Sequence, residues 1–326
     1  MKILLTGASG FVGSHILDSL RQRGLATVLL LRPGSSHGFI APHLSDIELR
    51  TGSIDDPESL RLAMVDITHV IHCAGATRAS RIAGFYKANQ AGTRNVVNAV
   101  NAQQGRIQRL VHISSLAAAG PAQPEKPARE QDPPKPVSEY GKSKLAGELE
   151  VQNHCHAEHV ILRPPAVYGP RDAEFLRLFR ATKNHLLVKL GGGQTLSLVF
   201  VKDLAAAIVI CLDHPAAAGK TYFVAAREVV TARGMAEEVA AQMNIWTLPL
   251  PAPLVLLWLL CLAQETRTRL TGKANVLSLQ KFAELRAPGW VCDPALLERE
   301  TGCTCPTNLK LGVAETLSWY RQQRWL

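Results

Sequence analysis

The chain has 326 residues, 47% of them hydrophobic, which suits a large packed core and excludes global disorder. Its formal charge is +9, which favours an anionic partner: nucleic acid, an anionic membrane surface or a phosphate-bearing ligand. Nucleic acid is not expected, because the basic residues form no run of five or more and there is no zinc-finger spacing or aromatic-basic signature.

The first strand is expected at Lys2–Thr6, a short apolar run. Thr6-Gly7-Ala8-Ser9-Gly10-Phe11-Val12-Gly13 follows it and opens a helical stretch to about Arg23. Gly7 permits a tight turn, Gly10 removes the side chain where a pyrophosphate must approach the backbone, and Gly13 lets the helix pack closely on the strand. The free N–H groups at the helix start then face an anion. Nucleotide binding is therefore expected here; the alternative is an ordinary glycine-rich turn. Ala26–Leu31 is the second strand, apolar throughout as a strand buried on both faces should be. Many NAD-binding proteins place an acid after it to hold the ribose hydroxyls. This chain places Arg32 there, followed by Pro33, Gly34 and two serines. A guanidinium can fork onto a 2′-phosphate, so NADP is favoured over NAD; the alternative is a solvated loop charge.

Further strands are expected at 47–50, 69–72, 110–113 and 160–162, with helices at 85–102 and about 139–153. The alternation implies a parallel sheet covered by helices. Ser114 and Ser115 end the fifth strand, at the carboxyl edge where ligands bind in open α/β folds. Tyr140 and Lys144 stand four residues apart, on one face of a helix. An ammonium there would stabilise phenolate, lower the tyrosine pKa and make Tyr140 a usable acid or base at neutral pH.

Residues 120–136 carry six prolines and read as an irregular loop, either a plain surface excursion or the border of a substrate entrance. His154-Cys155-His156-Ala157-Glu158-His159 is read as a solvated helix end, because zinc ligands usually come at wider spacing from separate elements; no metal is expected. The second half is less patterned: a turn at 191–193, a strand and helix over 198–212, and helices at 231–243 and 309–322. Residues 239–264 contain no charge, but prolines 249, 251 and 253 break the first half. The clean apolar stretch, 254–263, is too short to cross a bilayer and runs into Arg267, Arg269 and Lys273. A buried core helix, a pocket lid and a membrane-surface contact all fit it. The seven cysteines show no paired spacing, and the amino terminus lacks a signal-peptide pattern. Free thiols in a reducing cytoplasm are expected, with membrane association left open.

Taken in order, TGASGFVG at 6–13, HCAGAT at 72–77, NQAGTRNVV at 89–97, HISSLAAAGP at 112–121, YGKSKLAGE at 140–148, RPPAVYGPRD at 163–172 and FVKDLAAAI at 200–208 resemble the extended short-chain dehydrogenases, also called the NAD-dependent epimerase/dehydratase family. The resemblance implies a Rossmann-like, doubly wound α/β fold. A dinucleotide domain would span 1–165, with 198–214 returning to it, and a smaller interleaved substrate domain would span 166–326. It implies Ser115, Tyr140 and Lys144 as the catalytic trio, Ser115 rather than Ser114. Lys144 would also hold the nicotinamide ribose, and Asn89 would organise the active-site helix. Gly7, Gly10, Phe11, Val12, Gly13, Arg32, Ile54, Ala74, Gly75, Asn89, Tyr140, Lys144 and Pro164 would border the cofactor. A homodimer is expected on the same ground.

Two positions depart from the family pattern. Ser53 stands where members often carry an acid for adenine, and Ala166 where nucleotide-sugar enzymes usually show an asparagine. RPPAVYGPRD and SSLAAAGP are more similar to the 3β-hydroxysteroid dehydrogenase and dihydroflavonol reductase branches. The expected function is interconversion of a secondary alcohol and a ketone on an apolar cyclic small molecule, sterol- or flavonoid-like. The alternatives are a nucleotide-sugar epimerase or dehydratase with tightly held NAD, and a non-catalytic dinucleotide-binding regulator.

Overall fold

The computed structural model describes residues 1–190, 193–252, 254–271 and 279–326; two glycines of the turn expected at 191–193, and Lys273, lie outside them. The first half supplies strands β1 (Lys2–Thr6), β2 (Ala26–Leu31), β3 (Glu48–Thr51), β4 (His69–His72), β5 (Arg109–Ile113) and β6 (Glu158–Arg163). Its helices are α1 (Phe11–Gln22), α2 (Pro57–Ala63), α3 (Ile82–Tyr86), α4 (Gly92–Asn101), α5 (Leu116–Ala119) and α6 (Glu139–His154). The second half adds β7 (Ala166–Tyr168), β8 (Leu186–Leu190), β9 (Thr195–Phe200), β10 (Lys220–Phe223), β11 (Val229–Thr231), β12 (Leu248–Ala252) and β13 (Gly289–Trp290). It also adds α7 (Phe175–Lys183), α8 (Val201–Ile210), α9 (Ala232–Met243), α10 (Leu254–Thr271), α11 (Leu279–Arg286), α12 (Ala295–Thr301) and α13 (Leu309–Gln322).

Seven parallel strands form one sheet in the order β10-β6-β5-β4-β1-β2-β3. The order reverses between β1 and β4, and the carboxyl ends there form the crevice where a doubly wound sheet binds its ligand. The sheet is apolar on both faces because each face is covered. On one side Ile16, Leu17 and Leu20 of α1 and Leu204 and Ile208 of α8 share a core cluster. On the other, Leu60 of α2, Val96, Val97 and Val100 of α4, and Val151 of α6 form a second. Thus α8, from the second half of the chain, covers the sheet of the first. The seventh strand, β10, also comes from the second half. Its Tyr222 and Phe223 are fully buried, but the polar start Lys220-Thr221 hides it from a reading by hydrophobic runs.

The helix expected at 85–102 is present, without a gap from 82 to 101, but it is not α-helical throughout. It divides into α3, a π-helical turn at Lys87–Ala91 and α4. The wider turn carries Asn89, whose side chain bonds outside the helix, and such turns recur at functional sites.

The second lobe packs β7, β9, β11 and β13 beside α7, α9 and α13. Its core is aromatic: Tyr168, Phe175, Phe179, Phe200 and Tyr320. The 120–136 loop is not a loose excursion. Ala122 N–H donates to the Gly289 carbonyl at 3.1 Å and Ala128 N–H to the Val291 carbonyl at 2.9 Å, which ties the sheet domain to the second lobe.

The stretch at 254–263 forms the first part of α10. The core-helix reading does not hold, since Val255, Trp258, Leu259, Leu260 and Leu262 are exposed. Among the described residues no helix is long and apolar enough to cross a membrane.

Truncating Ile208, fully buried between α8 and α1, leaves a cavity that rigid neighbours cannot fill. Ile208→Ala is expected to lower stability by about 2–5 kcal/mol, read from the shift of the urea unfolding curve.

Candidate active site

The glycine turn is built as its sequence requires. Gly7 has φ +76°, and a Cβ there would lie 2.7 Å from the Ala74 amide nitrogen. No other residue lets the exits of β1 and β4 approach so closely. A Cβ on Gly13 would lie 2.0 Å from the Gly7 carbonyl oxygen. Gly10 is the N-cap of α1, which has no side-chain cap and no acid in its first turn. Unsatisfied N–H groups therefore point into the crevice, and the cradle suits a pyrophosphate. Phe11 and Val12 start α1; Val12 packs against the core and Phe11 sets its ring edge-on to His15.

Arg32 follows β2, exposed and with no side-chain partner among the described residues. Ser53 spends its hydroxyl locally, accepting from the Asp55 N–H at 3.2 Å. The Ile54 side chain is turned under α4, against Gly92, and its carbonyl accepts from the Asn95 amide at 2.9 Å. Ala74 N–H donates to Thr6 Oγ1 at 3.2 Å. Pro164 is buried, and its carbonyl accepts from Leu116 N–H at 2.8 Å, which holds the exit of β6 against α5.

Ser115 and Tyr140 meet. Ser115 is the N-cap of α5, its hydroxyl accepting from the Ala117 N–H at 3.1 Å, and α5 packs on the first turn of α6, which carries Tyr140. Ser114 points elsewhere, donating to the Glu148 carboxylate. Tyr140 lies in the first turn of α6, whose N-cap, Ser138, accepts from Gly141 N–H at 3.1 Å and donates to Glu284 Oε1 of α11 at 2.6 Å. Lys144, one turn on, is buried and donates from Nζ to the Ile113 carbonyl at 2.6 Å.

The electrostatics differ from the expectation drawn from spacing. Burial pushes the Tyr140 phenol up to about 12; the nearby Ser115 hydroxyl opposes the rise and the Glu284 carboxylate adds to it. Lys144 does not lower it. Burial brings Lys144 itself down to about 8, against Cys73 and Glu148, which favour its charge. A neutral phenol at pH 7 is equipped to donate a proton.

Asn89 stitches the crevice to α6. Its amide nitrogen donates to the Ala76 carbonyl at 3.0 Å and to Ser143 Oγ at 2.9 Å, and its oxygen accepts from Ala76 N–H at 2.8 Å. A Cβ on Gly75 would stand 2.9 Å from Asn89 Oδ1 and press on the amide that ties the crevice to α6.

Several residues of this region carried no expectation from sequence. Glu148, one turn beyond Lys144, is buried and accepts from Arg163 Nε at 2.9 Å and Nη2 at 2.6 Å. Their signal was faint: a charge at i+4 on the Lys144 face, and an arginine ending a strand otherwise apolar at its close. His72 lies between Thr6 Oγ1, at 2.9 Å, and Thr93 Oγ1, at 3.1 Å. Its neighbour His112 has both ring nitrogens buried with no hydrogen-bond partner. Glu284 joins the Tyr140 helix from 146 residues away, and nothing local could announce it.

The model of the family described as "NAD dependent epimerase/dehydratase family" matches residues 3–225. The chain belongs to that family. It is therefore a nicotinamide-dinucleotide-dependent oxidoreductase of the extended short-chain dehydrogenase type. Among its relatives, a ceramide reductase of Caulobacter vibrioides is 30% identical over 99% of this chain and 96% of its own. A UDP-glucose 4-epimerase of Vibrio cholerae is also 30% identical, over 76% of this chain and 78% of its own. The fold matches the crystal structure of the Thermus thermophilus UDP-glucose 4-epimerase in complex with NAD, with a TM-score of 0.77 and 24% identity, covering 98% of this chain and 99% of that one.

The buried Glu148–Arg163 pair lies directly behind the site. Arg163→Met strands an uncompensated carboxylate and is expected to lose about 3–5 kcal/mol of stability, whereas Glu148→Gln/Arg163→Met recovers most of it. Urea unfolding of the two variants and the wild type checks the order.

Proposed function

We propose that this enzyme reduces the ketone of a long-chain, lipid-like substrate to a secondary alcohol, with NADPH preferred to NADH. The juxtaposition of Ser115, at the head of α5, with Tyr140, in the first turn of the α6 helix packed against it, at the carboxyl edge of the sheet, carries the reading. Gly7, Gly10 and Gly13, with Phe11 and Val12, would cradle the pyrophosphate. Ala74, Gly75, Asn89 and Pro164 would line the crevice towards the nicotinamide, and Lys144 would hold its ribose. When bound, the reduced nicotinamide supplies the hydride that goes to the carbonyl carbon.

The protein's own part is to place the ketone and supply a proton. Ser115 steadies the carbonyl oxygen. Tyr140, held neutral by burial, gives that oxygen its proton as the hydride arrives. Lys144 keeps a cation beneath the site while the pH is below about 8. The apolar substrate class rests on two supports. Similarity to the ceramide reductase spans the substrate half of the chain as well as the cofactor half. In addition, α11, which reaches the Tyr140 helix through Glu284, packs on the apolar α10. The full-length likeness moves the expected substrate from a ring system to a chain. NADPH is preferred because the exposed Arg32 guanidinium stands at the end of β2, the place of the ribose contact.

A nucleotide-sugar epimerase is the second reading, favoured by the similarity to the Vibrio cholerae enzyme. It would recycle its cofactor within one turnover and give no net absorbance change at the reduced-nicotinamide band, whereas a ketone reductase consumes reduced cofactor.

With a long-chain keto-amide and NADPH, Tyr140→Phe is expected to lower kcat by about 100- to 10,000-fold while NADPH still binds. Full turnover in that variant removes Tyr140 from the chemistry. Arg32→Ala is expected to weaken NADPH binding by about 10-fold and leave NADH unchanged, read by titration of nucleotide fluorescence. Equal losses for both cofactors would rule out a 2′-phosphate contact.

A further inference from the structure

The exposed side chains of α10 repeat at helical spacing. Val255, Trp258, Leu259, Leu262 and Ala263 are all exposed, and their spacing of i, i+3, i+4, i+7 and i+8 lies along one side of a helix. Cys261, on the other side, is fully buried. A surface helix ordinarily turns such a stripe inward; here it faces out. Trp246, Leu248 and Leu250, just before it in the chain, are exposed too, Trp246 at 71%. Leu248 and Leu250 lie on β12, which runs beside β8, whose Leu186 is likewise exposed. An apolar surface of this extent marks an interaction site.

The charge beside it selects the partner. No acidic residue occurs from 239 to 264, and beyond the single carboxylate of Glu265 the helix carries the exposed Arg267, with Arg269 two residues on. An apolar stripe with tryptophan on it and cations at one end is the pattern of a helix lying in the headgroup layer of an anionic bilayer. We propose that α10 and the strand before it dock this enzyme on the surface of an anionic lipid bilayer. The surface is read from exposure and charge alone, so it stands whichever substrate the enzyme takes. The docked face is one helix away from the site: α10 packs on α11, and Glu284 of α11 accepts from Ser138 at the head of the Tyr140 helix.

The test floats the purified full-length protein with vesicles of phosphatidylglycerol and phosphatidylcholine, and with phosphatidylcholine alone. The protein is expected to float with the anionic vesicles, and bromine-labelled lipid in them to quench its tryptophan emission. Leu259→Glu/Leu262→Glu, checked for unchanged circular dichroism and melting temperature, is expected to weaken partitioning at least ~10-fold. The proposal fails if the wild type stays unbound to anionic vesicles, or if the double variant floats as the wild type does. It also fails if light scattering shows that the substitutions split a dimer, because the face then belongs to a second copy of the chain. Should the variant not fold, absence of lipid quenching in the wild type is by itself enough to reject docking.

Discussion

The structure turns on one buried cation. Lys144 is taken out of water on α6, and its ammonium is held by the carbonyl that ends β5. An isolated charge in that position is costly. The cost is offset by that carbonyl and by the field of Glu148, yet burial still lowers the pKa to about 8. The same donation from Lys144 fixes where α6 lies against the sheet. Tyr140, four residues earlier, is thereby presented at the sheet's carboxyl edge, where Ser115 meets it.

A second layer of polar contacts keeps α6 in place. Asn89, lifted out of its helix by the π turn, bonds both to the loop after β4 and to Ser143. Gly147 passes so close to that turn that a Cβ would fall 2.3 Å from the Asn89 carbonyl oxygen. Tyr86 donates to Glu139 Oε2 at 2.9 Å, and Ser138 donates to Glu284. The helix that carries Tyr140 is thus fixed from the sheet, from the neighbouring helix and from the second lobe. The surroundings of Tyr140 are set before any substrate arrives, which is the condition that the proposed acid catalysis requires.

The two lobes are interleaved rather than joined by a linker. The 120–136 loop pairs with 289–293, Glu130 accepts from the Phe223 N–H at 3.0 Å, and α8 and β10 complete the sheet of the first half. A chain of this kind joins its lobes through exchanged elements and paired backbone.

The sequence by itself determined the alternation of strands and helices, the glycine turn and the Ser115, Tyr140 and Lys144 positions, because each is encoded within a few residues: an apolar run, a residue without a side chain, a spacing on one helix face. The place of Arg32 at the exit of β2 was legible for the same reason. Tertiary structure alone decided the rest. Spacing placed an ammonium beside a phenol, but the ammonium turned to the Ile113 carbonyl, and burial set the phenol's pKa. It brought Glu284 to Ser138 and Arg163 to Glu148. It put β10 at the edge of the sheet and turned the apolar side of α10 outward. Burial and distant contacts are properties of the packed chain, and neither desolvation nor a partner 146 residues away leaves a mark in a local pattern.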